Sequence, residues 1–438
     1  MNYKKIFYLL SLIIFVFLIS TDEIYGEDKI INVNSMKYRI IEDDATKEYG
    51  NVELMEQDLQ SQNDNIINIP EKINLNGRQY FVVRIGEKAF EQCEIIHIVH
   101  IPYTVTEIGK NAFNEAKNLE KVYIKDKSRL YKIEENAFYD CKNLKIINIP
   151  YNVEELERNA FYNCEHLEDI KLPKKLKVLN ERVFNGCSSL KKIDISNIVT
   201  IKMAALKDCE GLTDVIMSEK LKYIRDGAFF NCSNLKKINI PSSVEVIETG
   251  AFAECSNIVK INIPLSIKQL KDSVFKDCLN LSEIEIPESM EKIYTDAFLN
   301  CINLKKIIFK GKIPPNIDKE AFNGCSNIIV EALENEEAYK DKLKEFNVFN
   351  IKDLNNEINN DILKEETNVE SYKKENKSNN KTHKRERKCS EKNEEKLKED
   401  NLLFSLYMIN LLNGNEKNIK TLPYDLSLAI SIKKINIY

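Results

Sequence analysis

The chain of 438 residues has no tryptophan, four histidines, 12 glycines and 10 prolines. So few histidines leave little material for a metal centre or for imidazole acid–base chemistry. His97 and His100 stand three apart on one expected strand, hence on opposite faces, while His166 falls in a turn and His383 in a charged tail. No Cys-x-x-Cys pair occurs, which removes the usual zinc spacing. Glycine-rich phosphate loops and any nucleophile–histidine–acid set are missing too, so no catalytic, cofactor or metal residue is assigned and an enzyme is not expected. A formal net charge of −5 gives no bulk electrostatic basis for binding nucleic acid. No segment beyond the first 20 residues is apolar for long enough to span a bilayer.

Those first residues do carry an apolar run. Lys4 and Lys5 precede Ile6 to Ile19, and polar Thr21-Asp22-Glu23 and then Gly26 follow. This is the order of a secretory signal peptide over residues 1–26, and the run is shorter than the ~20 residues a spanning helix needs. It predicts a secreted or cell-surface protein.

What the chain has in abundance is repetition. Phe90, Phe113, Phe138, Phe161, Phe184, Phe229, Phe252, Phe275, Phe298 and Phe322 recur at intervals near 23 residues, and Leu206 fills the one gap, giving eleven units. Three residues after each anchor stands a cysteine, from Cys93 to Cys325, except at Ala116. A phrase L-x-x-I-x-I follows, as in Leu235, Ile238 and Ile240, and proline often closes it (Pro102, Pro150, Pro173, Pro241, Pro264, Pro287). Lacking an N–H, proline ends a strand there. The period predicts one short strand per unit, a turn, a second apolar stretch such as Val244 and Ile247, and a corner carrying Ala251-Phe252. A single such unit cannot bury its apolar side, whereas stacked units share a continuous core. Eleven strands about 4.8 Å apart make a rod or arc roughly 50 Å long.

The cysteines number eleven. Ten share the repeat interval, one position accepts alanine, and side chains in one column point the same way, which suits buried free thiols better than bridges. Cys389 stands outside the column.

These residues resemble the BspA-like, treponemal-type leucine-rich repeat family, whose pattern L-x-x-I-x-I-P, V-x-x-I, A-F-x-x-C is met by residues 235–255. The resemblance extends over about 66–350, with Leu206, Ala116 and Glu331 as departures. It implies an α/β-type repeat solenoid: a leucine-rich repeat with one parallel sheet, mostly strand and turn. It also implies an extracellular or surface protein of the adhesin kind, with an extracellular or host protein or glycan as partner.

The expected organisation follows. Residues 27–80 form an N-terminal capping segment, 81–330 the solenoid, 331–350 a capping helix, 351–400 a disordered charged linker and 401–438 a short apolar tail. Within each strand the two residues between core positions point outward and build two columns. From Asp169 through Lys192 and Asp214 to Lys237 the first column alternates in sign, which predicts ion pairing across the ladder. Nearer the start, Ile98, His100, Tyr123, Ile146 and Asn148 form an apolar and aromatic patch, the candidate partner site. The leading segment or the insertion near 126–131 would hide it by folding across. Two functions remain at this point: a non-enzymatic binding scaffold, or a structural spacer that self-assembles and has no dedicated ligand.

Overall fold

A computed structural model describes residues 30–343, apart from 35, 45, 58–64 and 327. The expected signal peptide at 1–26, linker at 351–400 and tail at 401–438, with His383 and Cys389, therefore lie outside the described residues.

The repeat folds as a parallel-sheet solenoid with almost no helix. The L-x-x-I-x-I phrase forms the first ladder, in strands such as Ile98–Ile101, Lys121–Ile124, Lys192–Ile195 and Glu283–Ile286. Its alternation is direct: in Ile98–Ile101 and Lys192–Ile195 the second and fourth residues are buried and the others are not. The V-x-x-I stretch, expected as an apolar return, pairs as well. Strands of two residues, including Glu107–Ile108, Tyr223–Ile224 and Val246–Ile247, make a second parallel ladder, so each coil carries two strands. The first ladder is not continuous. It divides into three sheets, with interruptions after Ile146–Ile147 and after Asp214–Met217.

The prolines do more than stop strands. The carbonyl of each of Pro102, Pro150, Pro173, Pro241, Pro264 and Pro287 accepts the N–H three residues on, at 3.0 to 3.4 Å, and so starts the turn to the second strand. At the third corner, the residues two before and two after the anchor both adopt positive φ. Asn136 and Asp140 flank Phe138, and Gly250 and Glu254 flank Phe252. L-residues other than Asn, Asp and Gly visit this region at a cost, which is why those three types recur in the two columns.

Inside, the anchors stack on one another. Ring centroids are 5.0 to 5.5 Å apart from Phe90 to Phe184 and 5.0 to 5.9 Å apart from Phe229 to Phe322, with Leu206 between the two runs. The cysteines line the same core. All ten described ones are free thiols; eight are buried, and Cys93 and Cys325, near its two ends, are half-buried.

Both ends of the repeat carry extra elements. Ile30–Val33, Met36–Glu42 and Tyr49–Leu54 form an antiparallel meander, and Tyr49–Leu54 pairs parallel to Arg78–Ile85, which leads into the second ladder at Glu107–Ile108. The short strand Ile66–Asn68 instead extends the first ladder beside Ile98–Ile101. Beyond the last strand, Ile329–Ala332, helix Glu336–Lys342 sets Tyr339 against Phe309 at 4.8 Å. The Tyr339 hydroxyl donates toward the Gly311 and Ile313 carbonyls at 3.1 and 3.3 Å.

Candidate functional site

The first-ladder face near the start is assembled by register. Ile66 stands beside Ile98, Ile98 beside Lys121, and Lys121 beside Ile146, while Asn68, His100 and Tyr123 form the parallel row. His100 and Tyr123 stack, with ring centroids 5.2 Å apart and planes 24° apart. Neither the leading segment nor the insertion covers them: Tyr123 is 39% exposed, Ile146 45% and Ile66 44%. Ile98 is half-buried and His100 exposed. The leading segment lies alongside, because Ile66-Ile67-Asn68-Ile69-Pro70 repeats the phrase at 146–150 and so pairs as one more strand. Reading only from the first Ala-Phe onward misses Ile66 and Asn68, although that repeated phrase reveals both.

Asn148 has a different occupation. Its amide nitrogen donates to the Ile124 carbonyl at 2.8 Å and its oxygen accepts the Ile124 N–H at 2.9 Å. The side chain thus stands in for ladder rungs where the strand Ile146–Ile147 stops short, and it borders the patch as a fixed amide. The patch is edged by charge as well. Lys125 pairs with Glu71, and the cations of Lys125 and Arg129 lie 5.7 and 5.9 Å from the Tyr103 ring centre. His97 precedes the strand that holds His100 and turns its Nδ1 to the Ile95 carbonyl at 3.0 Å. Among the described residues no cluster of three His, Cys, Asp or Glu is arranged to hold a metal ion.

Farther along the face, the ion pairing expected from the alternating signs does not form. Asp169, Lys192 and Asp214 stand in register, yet none of them, nor Lys237, makes an ion pair among the described residues. The reason is reach. Where the acid is glutamate the same ladder does pair, at 3.2 Å for Lys260–Glu283 and 2.8 Å for Lys306–Glu331. An aspartate carboxylate stands one methylene nearer the backbone than a glutamate's and so reaches less far toward a lysine on the next strand.

The family pattern agrees with this architecture. The sequence pattern of the BspA type leucine-rich repeat region, in six copies, matches residues 83–213, 127–235 and 199–329. The chain belongs to the BspA type leucine-rich repeat family. Among solved structures, a leucine-rich cell surface protein from Faecalibacterium prausnitzii is 21% identical, with 72% of this chain and 98% of that one covered and a TM-score of 0.39. A leucine-rich repeat protein from Bacteroides ovatus is 24% identical, covering 73% and 99%, with a TM-score of 0.39. The pneumococcal vaccine antigen PcpA is 19% identical, covering 71% and 83%, with a TM-score of 0.49. No curated protein matches the chain. Among the described residues no helix is long and apolar enough to cross a membrane.

Proposed function

We propose that this BspA type protein is exported, displayed at a cell surface, and acts without catalysis as a scaffold that binds an extracellular or host protein or glycan. The observation that carries the reading is the exposed cluster of Ile66, Ile98, Tyr123 and Ile146 on the first-ladder face, with His100 stacked on Tyr123. Apolar and aromatic side chains gathered on a rim of charge are what partner surfaces present at their centres. The sheet is already ordered, so little conformational freedom is lost on binding. Tyr123 offers a flat ring face to a sugar or an aliphatic side chain, and the fixed Asn148 amide borders it.

The test is binding of the full chain to immobilised extracellular-matrix proteins and to a glycan array. The paired variant Tyr123→Asp with Ile146→Asp keeps its circular dichroism spectrum and loses at least about tenfold in affinity. Capture by the variant equal to that of the parent would exclude this patch.

A further inference from the structure

The last first-ladder strand, Ile329–Ala332, lies at the end of its sheet, and among the described residues no strand stands beyond it. The Ile329 and Leu333 N–H groups donate to the Lys305 and Phe309 carbonyls of the preceding coil at 2.8 and 3.1 Å. Those of Val330 and Ala332 alternate with them and face the outer edge. At the opposite end of the first ladder the outward side chains of the terminal strand are open, with Ile66 and Asn68 both exposed. Glu331 is the outward counterpart of Asn68, yet it is only 8% exposed. Its pairing with Lys306 at 2.8 Å accounts for one flank. Helix Glu336–Lys342 lies behind the sheet, where Tyr339 meets the inward-facing Phe309, and so does not account for the other.

Beyond Leu343, where the described chain ends, the sequence carries the repeat phrase once more. Phe346-x-x-Phe349-x-Ile351 has the form of L-x-x-I-x-I, with apolar residues at all three core positions. A parallel strand needs a crossover of about a dozen residues or more, commonly helical. Residues 333–347, with helix Glu336–Lys342 among them, have that length. We propose that residues 346–351 dock on the outer edge of Ile329–Ala332 as one further parallel rung. The phrase sets the register. Phe349 beside Val330 and Ile351 beside Ala332 face the core, while Val348 covers the exposed Ile329 and Asn350 stands beside Glu331. Asn350 then holds the place of Asn148 and Asn262. Each of those stands one strand on from an outward residue, Tyr123 or Asn239, and bonds both the N–H and the carbonyl of the residue after it. Here that residue is Ala332, whose N–H faces the open edge. A rung at this place removes the template on which a second solenoid would add end to end. The edge is distinct from the apolar patch and does not depend on it.

Hydrogen exchange of the full chain, read by mass spectrometry on peptides covering 328–333 and 346–351, tests it. Residues 346–351 exchange at least about tenfold more slowly than a free peptide of that sequence. Phe349→Lys and Ile351→Lys place a charge at core positions. Each abolishes that protection and speeds exchange of 328–333 by at least about tenfold, whereas the outward Val348→Lys does neither. All three leave exchange over 98–124 unchanged. Free-peptide exchange of 346–351 in the parent chain, parent-like exchange in either inward variant, an effect of Val348→Lys equal to theirs, or a change that reaches 98–124 would each overturn the proposal. So would protection of 328–333 that rises with protein concentration while 346–351 exchanges freely, since a second copy of the chain would then occupy the edge.

Discussion

Each thiol of the column from Cys141 to Cys325 donates to a carbonyl one coil earlier: Cys141 to Phe113 at 3.0 Å, Cys232 to Leu206 at 3.3 Å and Cys255 to Phe229 at 3.1 Å. The phenylalanine carbonyls among these also accept a main-chain N–H from three residues on in their own coil, as Phe113 does from Ala116 at 3.0 Å. A cysteine at this position therefore fills a small apolar gap and uses the carbonyl's second lone pair, where alanine does only the first. Burial is the main cause that pushes the thiols of Cys141, Cys164, Cys187 and Cys209 well above their usual range, and it brings half-buried Cys325 to about 11. The direction fixes a pH dependence. Unfolded thiols release protons near 9 while folded ones keep them, so the unfolded state binds fewer protons above that point. Urea midpoints should hold through neutral pH and fall as pH rises beyond 9. A midpoint that rose across that range would contradict buried neutral thiols.

At the scale of the strand, two side-chain amides take over where pairing ends. The first-ladder strands that end just before Asn148, Asn239 and Asn262 run for only two residues. Asn262 accepts the Ile240 N–H at 3.0 Å and donates to the Ile240 carbonyl at 2.8 Å, repeating what Asn148 does to Ile124. Asn262→Ala removes both bonds and leaves the two Ile240 groups without those partners, so it should cost about 1–3 kcal/mol in urea denaturation. A change within about 0.5 kcal/mol would mean that these amides are ornamental. This element also marks how far sequence reading reaches. Phenylalanine, cysteine and L-x-x-I-x-I columns are legible because burial imposes one side-chain type at one interval, and they place the core and the first ladder. The second ladder was hidden because its strands are two residues long, too short to display an alternation. Ion pairing among Asp169, Lys192 and Asp214 was misread because register is visible in a sequence while side-chain reach is not. The patch residues were legible as outward positions, but the bonds that tie Asn148 to Ile124 depend on where a strand ends.

At the scale of the described solenoid, the energy is distributed among neighbours. Coils share phenylalanine stacking, thiol bonds and strand pairing with their neighbours, so a single coil has no core of its own. Truncating one anchor, which sits fully buried at Phe252, removes contacts worth about 3–5 kcal/mol. The same repetition creates the functional surface: a rigid sheet on which each coil contributes two outward side chains, apolar at one end and of mixed charge in the middle. The proposed apolar patch lies on that face and holds its geometry only while the stack beneath it is continuous. Thiol accessibility reports on that continuity most directly, by counting with mass spectrometry the cysteines that react with an alkylating reagent in native and in unfolded protein. The stacked account predicts that Cys141, Cys164, Cys187, Cys209, Cys232, Cys255, Cys278 and Cys301 stay unlabelled in the native protein and that all of them label once it is unfolded. Prompt native labelling of these residues, or disulfides joining any two of them, would contradict it.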